Sequence, residues 1–275
     1  MTSIRHKCLF IFSSLFLIAN AVHAQLIPVE QNEKSFIVSS APTMTFLYPA
    51  KEAKATLIFL PGGLGHVGVK ATTPETSPFF TKYHFNLMLK RLSSSQDTNG
   101  LFNVVIFDNP TPLPQATKYS YPSSRGSSDH LVRIDSVVHH YKALLNKPIW
   151  LFGHSNGAVS MTEYFKKIQK SSQESPIAGM IYSGSFHGAD FGGHVSAPVL
   201  FLHHEKDGCE STTHKQSMQV FQKLKSQGGQ KVEFQFVTGG EAEAKDPCLS
   251  GHHMYFGAEK EAAELVNQFA KKHLE

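Results

Sequence analysis

A chain of 275 residues with a formal charge of +4 suits one large α/β domain with a sizeable core. The mild charge balance, and the absence of any Lys/Arg cluster interleaved with aromatics, argue against a nucleic-acid partner. No internal repeat, linker or low-complexity tract divides it.

Residues 1–24 read as a secretory signal peptide rather than as fold. Arg5, His6 and Lys7 give a positive start, Cys8 to Ala21 is almost wholly apolar, and Val22-His23-Ala24 puts small residues at the −3 and −1 positions of a cleavage site. The apolar run is short for a membrane span of about 20 residues. Cys8 stands at its start rather than its end, which does not suit lipid attachment. Gln25 would begin the mature protein, residues 25–275, as a single catalytic domain without a membrane span. Loss of Arg5 and Lys7 lowers the formal charge from +4 to +2. The expected location is the periplasm or the exterior.

Behind the leader, Val29 to Ala50 reads as one or two short strands broken at Ala41-Pro42. Ala55 to Leu60 is a continuous apolar run that stops at Pro61-Gly62-Gly63. Asn103 to Phe107, Lys147 to Phe152, Ala178 to Ser183 and Ala197 to His203 repeat that form. Lys231 to Val237 shows the alternation expected near a sheet edge. Apolar runs bounded by turn residues fit strands buried on both faces. Between them, Phe85 to Leu92, Asp129 to Leu145, Ala158 to Lys170, Ser211 to Ser226 and Ala258 to His273 carry apolar residues at helical spacing. The alternation predicts a mostly parallel sheet with helices on both faces. Two long loops, 62–82 and 108–128, leave C-terminal strand ends, where open α/β sheets place ligands. The connection 184–197 is too short for a lid domain.

Gly153-His154-Ser155-Asn156-Gly157 joins one such strand to a helix. A serine there stands on a sharp turn with its Oγ pushed outward, at a helix N-terminus that favours developing negative charge. The glycines fit because a β-carbon would crowd the turn and because glycine tolerates unusual backbone angles. A serine hydroxyl needs a base, usually a histidine, and the histidine an orienting carboxylate. Glu205 and Asp207 both follow the strand that ends at His203. Asp207 is preferred, because Asp207-Gly208 is a turn that can aim a short side chain inward. The base is expected at His252 or His253, between the last strand and the final helix. Ser155, Asp207 and histidine then fall in the chain order of a nucleophile-elbow enzyme. The oxyanion would be held by the backbone N–H of Asn156 and a second N–H from Gly63 or Leu64.

The mature chain keeps Cys209 and Cys248, and an oxidising compartment suggests a disulfide. Cys209 lies two residues after Asp207 and Cys248 five before His253, so a bridge would bring the two loops together. Other residues receive lesser roles. Arg125 and Asp129-His130 lie on the second long loop and could contact substrate, but a surface or helix-capping role is preferred. Phe79, Phe80, Phe186 and Tyr255 are candidate pocket walls. His139-His140 and His203-His204 lack metal-ligand spacing, so neither a metal nor another cofactor is expected.

The chain resembles the α/β-hydrolase superfamily. The residues that carry the resemblance are Leu60-Pro-Gly-Gly-Leu64, the Gly153 to Gly157 motif, His203 to Cys209 and Cys248 to Gly257, which span almost the whole mature chain. It looks most like compact, lidless, exported esterases of the dienelactone-hydrolase type. In such relatives an aromatic and then a glycine four residues on follow the catalytic histidine. Tyr255 and Gly257 fit that spacing for His253 and not for His252, so the resemblance selects His253. It implies an exported serine hydrolase acting on carboxylic esters, small or polymeric, through an acyl-enzyme on Ser155. An acyltransferase, thioesterase or peptidase with the same triad is the alternative, as is a noncatalytic binding protein on the same scaffold. One departure is the serine, where dienelactone hydrolases use cysteine.

Overall fold

The computed structural model describes residues 24–33, 39–69, 85–93, 100–113, 124–171, 174–242, 246–249 and 251–274. The expected leader up to residue 23, and Phe79 and Phe80, lie outside the described residues. Among the described residues, eight strands form one sheet: β1 (Gln25–Val29), β2 (Thr43–Tyr48), β3 (Ala55–Leu60), β4 (Phe102–Asp108), β5 (Ile149–His154), β6 (Ile177–Ser183), β7 (Val199–His204) and β8 (Val232–Val237). Their spatial order is β1-β2-β4-β3-β5-β6-β7-β8. The pairings β1–β2 and β2–β4 are antiparallel, and the remaining pairings are parallel.

The continuous apolar runs are explained by burial on both faces. Along β3, Ile58 and Leu60 enter one core cluster and Leu57 and Phe59 the other. Among the described residues, five helices cover the sheet: α1 (Phe85–Ser93), α2 (Ser128–Leu145), α3 (Asn156–Gln169), α4 (His214–Ser226) and α5 (Glu259–Lys271). The first cluster takes Val137 and Tyr141 from α2, Val159 and Tyr164 from α3, and Leu224 from α4. The second takes Phe85 and Leu89 from α1 with Val266 and Phe269 from α5. Strand β8 ends the sheet and is only partly covered along its length, as its alternation predicts.

Two boundaries differ from the sequence expectation. Val29 ends a strand rather than opening one, because Gln25–Val29 pairs antiparallel with β2 in the register Gln25↔Leu47 to Val29↔Thr43. Pro28 is tolerated there because β1 is an edge strand with one unpaired side. Helix α3 starts at Asn156, directly after the serine, two residues earlier than the apolar spacing predicts. Among the described residues, no helix is long and apolar enough to cross a membrane.

Candidate active site

The end of β5 and the start of α3 leave one residue between them, Ser155, and it takes the whole turn. Its φ of 54° and ψ of −123° lie in a region that L-residues rarely adopt. The flanking glycines serve one of the two purposes expected of them, leaving room where a β-carbon would crowd the turn, and not the other. Neither has a positive φ; the unusual angle falls on the serine. Their role is close approach. A β-carbon on Gly157 would lie 1.9 Å from the Leu60 carbonyl oxygen, and one on Gly153 2.6 Å from the Gly157 oxygen. Helix α3 therefore packs directly on the end of β3. Asn156 is the first helical residue, so its N–H has no partner within the helix, and the helix dipole adds positive potential beside the serine.

Asp207 lies just past β7, and His253 sits on a 3₁₀ turn, Gly251–Met254. His253 Nδ1 and Asp207 Oδ2 are 2.8 Å apart. The other carboxylate oxygen accepts the Cys209 N–H at 2.9 Å, and Thr212 Oγ1 donates to Oδ2 at 3.2 Å. His203 Nε2 also stands 3.2 Å from Oδ2. Burial alone would raise the Asp207 pKa; the polar contacts and charge of His203 and His253 outweigh it and hold the carboxyl well below the usual carboxylate range. Glu205, the other candidate, is exposed. His252, the neighbour of His253, turns elsewhere and stacks on His204 with ring centroids 4.1 Å apart.

A disulfide joins Cys209 to Cys248, with Cα atoms 4.6 Å apart. It links the Asp207 loop to the segment that leads into His253. Ser155, His253, Gly63, Leu64 and Cys248 all border one cavity of about 550 Å³ at the C-terminal ends of the parallel strands. Leu64, Val67, Leu249 and Met254 give it apolar walls. A second cavity, of about 650 Å³, lies among Lys51, Glu52, Lys54 and Lys147 at the opposite strand ends, away from the serine.

Three sequence assignments change. Arg125 is neither a surface nor a capping residue; it is 2% exposed and bonds the carbonyls of Pro61, Gly62 and Gly63. Ser127, not Asp129, caps α2, accepting the His130 N–H, while Asp129 holds Arg133 Nε at 3.1 Å. Tyr255 is fully buried and does not border the cavity that holds Ser155; its hydroxyl reaches Ser183 Oγ and the Leu202 carbonyl. It backs His154, a residue to which no sequence signal gives a role. His154 is buried against the His253 ring at a centroid distance of 4.7 Å. Burial, then the His253 charge, lowers the His154 pKa well below the ordinary value. Phe186 stacks on His187 and its N–H reaches the Ser155 carbonyl at 3.3 Å. Among the described residues, no group of three or more His, Cys, Asp or Glu is placed to hold a metal ion.

No family model matches the sequence, and no curated protein matches it. Solved structures do. A putative α/β-hydrolase of unknown function from Agrobacterium tumefaciens gives a TM-score of 0.58 at 15% identity, covering 90% of this chain and 96% of its own. An α/β serine hydrolase without a lid from Xanthomonas campestris gives 0.57 at 12% identity, with 91% and 94% covered. A dienelactone hydrolase from Anabaena variabilis gives 0.56 at 12% identity, with 92% and 100% covered. At these identities the likeness is one of fold.

Proposed function

We propose that this chain, which has the α/β-hydrolase fold with no large lid among the described residues, is an exported serine hydrolase that cleaves carboxylic esters through an acyl-enzyme on Ser155. The observation that carries the reading is the convergence on one cavity of a strained serine, a histidine bound to a buried carboxylate, and a glycine-rich loop end. A binding scaffold has no use for that combination. An ionised Asp207 can only accept, so His253 carries its hydrogen on Nδ1 and leaves Nε2 as the basic atom. His253 takes the Ser155 proton as Oγ attacks the carbonyl. The N–H of Asn156 and that of Gly63 or Leu64 hold the oxyanion. His253 then protonates the leaving alcohol, and water, activated by the same histidine, releases the acid. Asp207 stabilises the imidazolium in both halves.

The apolar walls of the cavity fit an apolar acyl group on a small ester. A leader of signal-peptide form and a disulfide, which suits an oxidising compartment, support export. An esterase domain from Rhodothermus marinus shares the fold, at a TM-score of 0.54 and 13% identity. The test is labelling by a fluorophosphonate probe, with peptide mapping, alongside an ester panel graded by acyl length. Labelling at Ser155 that is lost in Ser155→Ala, with turnover of the esters, is the expected result. A folded, oxidised protein that takes no label defeats the proposal.

A further inference from the structure

The loop after β3 is folded around one buried guanidinium. Arg125 Nη1 donates to the Pro61 carbonyl at 3.0 Å, and Nη2 donates to the carbonyls of Gly62 and Gly63 at 3.1 and 2.8 Å. Nη1 also donates to Ser160 Oγ, at 3.0 Å, on the helix that starts behind Ser155. From Ser160 the network runs to His130 Nε2 at 2.8 Å and from His130 Nδ1 to Asn109 Oδ1 at 3.2 Å. The direction of each bond is fixed from the two ends. A guanidinium only donates, so Ser160 accepts from it; the Asn109 Oδ1 only accepts, so a neutral His130 carries its hydrogen on Nδ1 and its Nε2 takes the Ser160 hydrogen. A neutral His130 fits this order. Its burial, then the charges of Arg125 and Arg133, lower its pKa well below the ordinary value.

The other side of the loop is set by the same bonds. In a trans peptide the carbonyl and the N–H of the next residue point in opposite directions. Drawing the carbonyls of residues 61, 62 and 63 to one guanidinium turns the N–H groups of Gly62, Gly63 and Leu64 away from it. Among the described residues, none of these three N–H groups donates to the protein, and all three residues border the cavity that holds Ser155. Gly62 backs directly on the nucleophile: a β-carbon there would sit 2.8 Å from Ser155 Cβ. Asn156 Nδ2 adds a bond to the Gly63 carbonyl at 3.0 Å, tying the loop to the residue after the serine.

We propose that Arg125 is a positioning residue for the oxyanion site, gathering three consecutive carbonyls so that the Gly63 and Leu64 N–H groups meet the developing negative charge. The assignment rests on the serine-hydrolase reading above. A planar fork of donors can serve three carbonyls at once, where a lysine ammonium is a single point on a flexible stem. The charge also polarises the peptide units it binds, which strengthens their N–H groups as donors.

The test compares wild type, Arg125→Ala and Arg125→Lys, with active sites counted by fluorophosphonate labelling of Ser155. Per labelled site, Arg125→Ala should lower kcat about 10- to 100-fold, less than or comparable to losing one oxyanion donor outright. KM should stay within about threefold, because the oxyanion interaction forms only in the transition state. Arg125→Lys should fall between the two. The acid-limb pKa of kcat/KM should not move, since the His253–Asp207 pair is untouched. The Ki of a trifluoromethyl ketone, whose adduct carries the oxyanion, should rise in parallel with the loss of kcat/KM. Where Arg125→Ala does not fold, Arg125→Lys decides by the same readouts. A kcat per site within about twofold of wild type, or an unchanged ketone Ki beside a lowered kcat, overturns the assignment. Wild type that takes no label overturns both this and the serine-hydrolase reading. A labelled wild type with an inert Arg125 overturns this alone.

Discussion

Asp207 Oδ2 accepts the Nδ1 hydrogen of His253 at 2.8 Å, with both side chains 1% exposed. An asparagine at 207 would keep the shape and present either an N–H or an uncharged oxygen. Neither stabilises an imidazolium, and the N–H would force the His253 hydrogen onto Nε2, where the base is needed. Asp207→Asn should therefore lower kcat by about 10⁴-fold with little change in fold. Steady-state kinetics on a chromogenic ester, checked against circular dichroism, measures it. A loss smaller than about tenfold would mean that Asp207 does not orient the base.

The same carboxylate sets an acid limit on stability. Burial pushes its pKa up, but the polar contacts and charge of His203 and His253 push it down further, so the folded value lies below the ordinary 3.8. The stabilisation is fully present above the unfolded value, where both states are ionised. As pH falls through that value the unfolded chain takes up the proton first, and the contribution shrinks until the folded carboxyl also titrates. Urea melts of wild type and Asp207→Asn should show a gap in unfolding free energy that narrows from about pH 5 to about pH 2. A gap constant over that range is incompatible with a depressed pKa.

The three groups of the proposed triad are legible because each stands on a local signal: an elbow motif, an aspartate-glycine turn after a strand, a histidine pair between the last strand and the final helix. His252 and His253 are separable only by resemblance, since no local pattern says which of two adjacent rings a 3₁₀ turn aims inward. Arg125 escapes a sequence reading for a different reason. Its partners are backbone carbonyls more than 60 positions earlier, and a carbonyl carries no residue identity for a sequence to display. The first strand begins earlier than its pattern suggests: it contains Pro28, and only the sheet order shows that it lies on an edge, where a proline is tolerated.

The bridge between Cys209 and Cys248 closes a loop with a sequence separation of 39. Chain entropy alone gives it about 4 kcal/mol. Its position adds a second effect: the Cys209 N–H is a ligand of Asp207 Oδ1 at 2.9 Å, so the bridge also steadies the carboxylate. Replacing both cysteines by serine should lower the unfolding free energy by up to about 4 kcal/mol and reduce kcat in the molecules that stay folded. Denaturant melts and active-site titration separate the two effects. Two free thiols in the unreduced protein, by mass spectrometry, would remove the basis of this prediction.

Ser155 provides a test of stored strain that does not depend on the substrate. Its φ of 54° with ψ of −123° is a conformation that glycine adopts freely and alanine does not. Strain of this kind costs about 1–3 kcal/mol. Glycine loses more backbone entropy on folding, a penalty of about 0.5–1 kcal/mol, so relief of strain should win. Ser155→Ala and Ser155→Gly both remove the nucleophile and should both be inactive. They should differ in stability, with Ser155→Gly melting at the higher temperature. Equal melting points, or a lower one for glycine, would show that the elbow holds no strain at this residue and that the fold places the serine at no conformational cost.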